Sequence, residues 1–190
     1  MYETKHHFFI VTDLYSGGDL FSELEDFGVF DDDDAADLMN TMLTCMNYCH
    51  QRGLVHLDLK PENVLLPGRQ QQQQQQQKGY RDFTNVKIID FGLAQYQDDN
   101  KKLTSLEGSS YYMSPQVVKR CYKGDKADVW SCGVVCHVMM TGYAPFDGPK
   151  YKDILKAIVE GKFHLNDPEW DDATEEAKVL RTTTNLRGMR

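Results

Sequence analysis

The chain has 190 residues, of which 41% are hydrophobic and 26% charged, and its formal net charge is −8. That length holds one domain or part of one. The acidic balance excludes a protein that gains its affinity by neutralising nucleic-acid phosphates with a basic face, and it suits the binding of basic peptides.

No apolar run approaches the roughly 20 residues a membrane-spanning helix needs, so no membrane segment is expected. The N-terminal stretch "MYETKHHFF" lacks the basic-then-apolar pattern of a signal peptide. The five cysteines, Cys45, Cys49, Cys121, Cys132 and Cys136, include no C-x-x-C pair. Two pairs are spaced i,i+4 within apolar, helix-periodic segments, which reads as small buried residues rather than metal ligands. Free thiols imply a reducing compartment, and a cytoplasmic location is expected.

Taken in chain order, "HFFIVTDL" (His7 to Leu14) is rich in β-branched and aromatic residues and predicts a strand. Two glycines in "SGGDLFSELEDFG" break it, and Asp19 to Glu25 restart as a short helix. "FDDDDAADLMNTMLTCMNYCHQRG" predicts a long helix opened by four aspartates, where negative charge meets the positive end of the helix dipole. Its apolar stripe is Leu38, Met42, Cys45, Met46 and Cys49, and Gly53 stops it. The "DDDD" run is not a calcium loop, because Ala36 and Met42 stand where an EF-hand needs Gly and Glu.

Two short strands follow, "NVLL" (Asn63 to Leu66) and "VKIID" (Val86 to Asp90). Their connection, residues 67–85, holds eight consecutive glutamines, Gln70 to Gln77. A polar tract with no apolar face cannot bury itself, so a disordered insertion on a hairpin tip is expected. The polar, glycine-punctuated stretch from Asp90 to Gln116 predicts a long ordered loop. "KADVWSCGVVCHVMMTG" (Lys126 to Gly142) is apolar almost all round and predicts a buried central helix. "KYKDILKAIVEG" predicts an amphipathic helix stopped by Gly161, and "DDATEEAKVL" opens another.

The chemistry concentrates in "VHLDLKPENVLL", Val55 to Leu66. Asp58 could accept a hydroxyl proton or orient a hydroxyl nucleophile. Lys60 could neutralise a transferring phosphoryl group. Asn63 and Asp90 are hard oxygen ligands at the ends of two adjacent strands, a pair suited to Mg²⁺ bridging phosphates. Gly92, after Asp90-Phe91, permits a backbone geometry that a β-carbon resists.

These segments resemble eukaryotic protein kinases. "HLDLKPEN" is similar to the catalytic loop, "DFG" to the magnesium loop, "GSSYYMSPQ" to the end of the activation segment, and "DVWSCGVV" to the central helix of the C-lobe. One such motif arises by chance often; four in order, with the right elements between them, do not. Lys60 marks the serine/threonine form. "SGGDLF", "GYAPFDG" and "ILKAIVEGKFHLNDPEWDDATEEAKVL" resemble the calcium-dependent kinases of the calmodulin-kinase group, over about Tyr2 to Leu180.

The resemblance implies an α+β kinase-like fold: a mainly helical C-lobe with the hinge strand and a short β-hairpin, most of the N-lobe sheet being absent. Residues 1–15 are then the last N-lobe strand and hinge, 16–180 the C-lobe, 67–85 the Gln-rich insertion and 181–190 a divergent tail. It implies that the cofactors are ATP and Mg²⁺ and that the partner is a Ser/Thr protein or peptide in basic context, not nucleic acid. Asp58 takes the hydroxyl proton, Lys60 contacts the γ-phosphate, and Asn63 and Asp90 hold the metal. Ser109 bridges Asp58 and Lys60. The backbones of Asp13 and Tyr15 face adenine, Thr12 is the gatekeeper and Leu65 packs under the base. Asp19 binds ribose or a substrate Arg, with helix capping as its alternative, and Glu62 adds to basic-substrate recognition. His56, Phe91 and Asp128 form the lower regulatory spine, and Leu65, His56 and Phe91 are expected in the core.

Two departures stand out. Leu57 replaces the Arg that precedes the catalytic Asp, which predicts no clamp on a phosphorylated activation loop. Gln116 replaces the Glu of the "APE" motif and cannot form its ion pair. No glycine-rich loop or Ala-x-Lys strand precedes the hinge, so little activity is expected of this chain alone, and "FFIV" is an expected aggregation-prone edge. The alternative to a kinase is a catalytically dead, truncated form acting as a binding or decoy module.

Overall fold

The computed structural model describes residues 1–68, 83–98 and 100–161. Most of the Gln-rich insertion, the expected helix at 171–180 and the tail 181–190 lie outside the described residues.

The chain opens with a small antiparallel hairpin, β1 (Tyr2–Glu3) and β2 (Phe8–Phe9), in the register Tyr2↔Phe9 and Glu3↔Phe8. The strand expected over His7–Leu14 is therefore only two residues long, and it is paired where a bare edge was expected. β-propensity becomes a strand only where a neighbour supplies a ladder, and β1 supplies two residues of one.

Helix α1 (Leu20–Phe27) starts one residue later than expected because Asp19 is its cap, accepting the Ser22 amide at 2.8 Å. Helix α2 (Asp32–His50) begins the same way, with Asp31 accepting the Asp34 amide at 2.9 Å and three more aspartates in its first turn. Its expected stripe faces inward: Leu38, Met42 and Met46 are buried, and Cys45 and Cys49 pack partly against them. Gly53, at φ 71°, turns the chain back, its amide donating to the His50 carbonyl at 2.9 Å.

Four further strands form two two-stranded ladders. β3 (Leu54–Val55) pairs antiparallel with β6 (Gln95–Tyr96), and β4 (Val64–Leu65) with β5 (Lys87–Ile88). The second ladder is the expected hairpin. The first was not expected, because Asp90 to Gln116 was read as loop throughout. That segment also contains single helical turns at Phe91–Leu93 and Ser110–Tyr112 and leads into the short helix α3 (Pro115–Val118), which Ser114 caps.

Helix α4 (Gly124–Thr141) is buried on nearly every side, as its apolar sequence predicts. Its Cys132, Val135, Cys136 and Met139 pack against Leu38, Met39, Met42 and Met46 of α2. Its Trp130, Val134 and Val138 form a second cluster with Phe146 and with Ile154 and Ile158 of α5 (Tyr151–Glu160). α4 is thus the axis on which α2, the segment that follows β3 and α5 are mounted. Among the described residues all five cysteines are free thiols, and no helix is long and apolar enough to cross a membrane.

Candidate active site

The loop between β3 and β4 is built around a buried carboxylate. Asp128, fully buried in α4, accepts the His56 amide at 2.9 Å on one oxygen and the Leu57 amide at 2.8 Å on the other. This holds Leu57 at φ 69°, a left-handed conformation that costs an L-residue roughly 1–3 kcal/mol and persists only where its surroundings over-determine it. The Leu57 side chain adds to the restraint by packing with Met113, Val117 and Ala127.

The next residue is Asp58. Its Oδ1 accepts both the amide and the hydroxyl of Ser109, each at 2.9 Å, and its Oδ2 lies 3.0 Å from Lys60 Nζ. Lys60 Nζ also donates to Ser109 Oγ at 3.0 Å, closing a three-residue ring. Burial works to raise the Asp58 carboxyl, but the hydrogen bonds from Lys60 and Ser109 and the lysine's charge outweigh it and hold the group below the ordinary carboxylate range. Ser109 reaches Asp58 because Gly108 precedes it. Gly108 stands at φ 106°, and a β-carbon there would lie 2.7 Å from the Leu57 carbonyl oxygen.

Asn63 completes the loop. Its Nδ2 donates to the Asp58 carbonyl at 2.9 Å, which leaves its amide oxygen as an acceptor. Its own carbonyl accepts the Ile89 amide at 2.9 Å, so the end of the β4–β5 ladder ties Asn63 to the residue that precedes Asp90. Asp90 is exposed and left-handed, at φ 62°, and its Oδ1 accepts the Gly92 amide at 3.2 Å. A β-carbon on Gly92 would stand 2.9 Å from that oxygen, so a larger residue there would push the Asp90 carboxylate aside. The donor set of one amide oxygen and one carboxylate fits a hard divalent cation such as Mg²⁺.

His56 links the two halves. Its Nδ1 accepts the Asp58 amide at 3.2 Å, and its Nε2 lies 3.0 Å from the Ile89 carbonyl. Only the Nε2–H tautomer satisfies both contacts. The ring also lies 4.7 Å from that of Phe91. Phe91 is 43% exposed, so it is not the core residue expected of it.

The other sequence candidates are arranged more loosely. Gly17 and Gly18 are stitched to Leu66 by two backbone hydrogen bonds, and Asp19 bridges Leu65, which is half-buried. Asp19 is a helix cap, the alternative reading of that residue. Tyr15 donates to Asn85 at 3.1 Å. Thr12 and Asp13 are exposed, and no hydrogen bond among the described residues joins them to the Asp58 loop. Glu62 is exposed on the turn beside Asn63; it adds to the burial that pushes the Tyr112 hydroxyl up. His50 and Gly108, both in contact with this machinery, were missed. Nothing local marks His50, whose partner Asp128 is 78 residues away.

A carboxylate ringed by a hydroxyl and a lysine, an asparagine bracing its loop, and an Asp-Phe-Gly turn across a β-ladder are the parts of a protein kinase C-lobe. Residues 1–184 match the protein kinase domain, and the chain belongs to that family. It is 35% identical over 94% of its length to calcium-dependent protein kinase 4 of Plasmodium berghei, covering 32% of that protein. It is 36% identical over 94% of its length to calcium-dependent protein kinase 29 of Arabidopsis thaliana, covering 31% of it. It is 34% identical over 93% of its length to calcium/calmodulin-dependent protein kinase type I of Schizosaccharomyces pombe, covering 50% of it. The chain thus spans about a third to half of these relatives.

Proposed function

We propose that this protein transfers the γ-phosphate of ATP to serine or threonine hydroxyls of protein substrates in basic sequence context, in the cytoplasm. The observation that carries this is the ring of Asp58, Lys60 and Ser109, with Asn63 bracing Asp58 from behind. A binding module has no need of all four residues together with Asp90, and their mutual hydrogen bonding favours the enzyme over the decoy.

Asp58, kept ionised by its donors, accepts the substrate hydroxyl as a hydrogen bond and orients it. A carboxylate so weakly basic takes the proton late, as the oxygen bonds to phosphorus and its acidity rises. Lys60 places its charge beside Asp58, where the transferred group's charge is met. Asn63 and Asp90 hold Mg²⁺, which when bound neutralises phosphate charge. The backbones of Asp13 and Tyr15, with Thr12 and Leu65, form the adenine side. Glu62 favours basic substrates.

Binding of Mg-ATP tests the reading. The protein is expected to bind it, Asp90→Ala to abolish the Mg²⁺-dependent part, and Asp58→Asn to leave binding intact while removing transfer to a serine peptide with arginine three residues upstream. Binding that ignores Mg²⁺ and Asp90 would sink the proposal.

A further inference from the structure

The segment that closes Ser109 on Asp58 also carries a carboxylate to the border of the same site. Asp58 and Ser109 line a narrow depression with Tyr112 and Met113, and Glu107 lines it too. Glu107 is exposed and directly precedes Gly108, which is packed against the Leu57 carbonyl. Its backbone is therefore tied to a fixed point, two residues from the hydroxyl that donates to Asp58. Among the described residues Glu107 caps no helix and closes no ion pair. The titratable group its charge does reach is Tyr122. Burial chiefly pushes that hydroxyl up, and Glu107 adds to the rise against a hydrogen bond from Ser105. A tyrosine held neutral gives Glu107 no charge in return.

We propose that Glu107 is a specificity-determining residue, pairing with a lysine or arginine of the substrate close to the phosphoacceptor. The inference rests on the kinase reading and narrows its substrate class. Two residues of chain span at most about 7 Å, and an extended peptide advances about 3.3 Å per residue. A long cationic side chain within about three residues of a hydroxyl seated on Asp58 therefore reaches Glu107. Asp58, Glu62 and Glu107 together make the approach negative, which draws in cationic peptides and rejects acidic ones.

Peptide affinity, read by fluorescence anisotropy on the full chain with and without Mg-ATP, tests the pairing. The probes are serine peptides carrying a single arginine at successive positions on either side of the serine, with glutamine and glutamate counterparts. We expect the unaltered protein to prefer arginine over glutamine at one of these positions. Glu107→Gln should reduce that preference about fivefold, the loss of one exposed ion pair. Glu107→Lys should prefer glutamate at the same position. An equal preference in all three proteins overturns the role of Glu107, even where Mg-ATP binds. A loss spread evenly over every position overturns it as well, because a general field lowers them all while a pairing lowers one. Position-specific dependence on Glu107 in a protein that does not bind Mg-ATP instead overturns the kinase reading and leaves Glu107 as a peptide-binding residue.

Discussion

Lys60 Nζ stands 3.0 Å from Asp58 Oδ2 and 3.0 Å from Ser109 Oγ, so one ammonium group joins the Asp58 loop to a segment about fifty positions further along the chain. The contact sets both the position of Asp58 and its acidity. With Lys60→Met, the lysine's hydrogen bond and charge no longer hold the Asp58 carboxyl down, and it rises. The sign for stability follows: a carboxyl lowered on folding contributes stability that is complete above its unfolded value, about 3.8, and is lost as pH falls through the lower folded value. Acid unfolding below about pH 4 should therefore shift to higher pH in Lys60→Met. A carbon-detected NMR titration of Asp58 checks the cause directly, and a midpoint no higher than in the unaltered protein would refute it.

Gly108 is held at φ 106° against the Leu57 carbonyl. Gly108→Ala adds both backbone strain and a clash with backbone atoms that cannot move aside. We expect a loss of roughly 1–3 kcal/mol in urea unfolding, together with loss of the Ser109–Asp58 bonds. Neutral stability would show that the segment relaxes without cost.

Leu57 packs in an apolar cluster with Met113, Val117 and Ala127. Leu57→Ala should cost about 2–4 kcal/mol, by transfer and cavity. Leu57→Arg should cost more, because it buries a cation among apolar side chains. Phosphatase treatment of the protein should leave its Mg-ATP affinity unchanged, since Leu57 offers nothing to a phosphate. A rise in that affinity on phosphorylation of the segment around Thr104 and Ser105 would contradict this.

Burial sorts the cysteines. It pushes the Cys136 thiol up to about 12 and raises that of Cys132, with smaller contributions from neighbouring charges. Cys121 is exposed. A disulfide reagent at pH 8 should modify Cys121 first and leave Cys132 and Cys136 untouched until unfolding, because the thiolate is the reactive form. Mass spectrometry of timed samples would reveal any other order.

The β1–β2 hairpin leaves Phe8 67%, Phe9 51%, Ile10 75% and Val11 74% exposed. A short ladder with an apolar free edge invites pairing between molecules. Phe8→Lys should reduce concentration-dependent light scattering without altering the unfolding midpoint. Unchanged scattering would place the association surface elsewhere.

The elements read correctly from sequence are those whose signal is local. Helix α2 shows its acidic start and apolar stripe, α4 its unbroken apolar run, and the β4–β5 hairpin its two β-rich segments. The candidate site was legible because Asp58, Lys60 and Asn63 fall within six positions of one another. β1 and β6 were not, because a two-residue strand exists only by virtue of its partner. The reach of β2 was overestimated for the same reason.

Sequence alone therefore determined the family, the helical core and the candidate site side chains, all of which depend on residue type and spacing along the chain. Tertiary structure alone decided how Asp58 is held: the left-handed Leu57, the close approach of Gly108, the closure of Ser109 on Asp58, and the His50–Asp128 pair. Each joins residues roughly fifty to eighty positions apart. No local propensity encodes such contacts, because a buried carboxylate selects its donors only after the helices that carry them have packed.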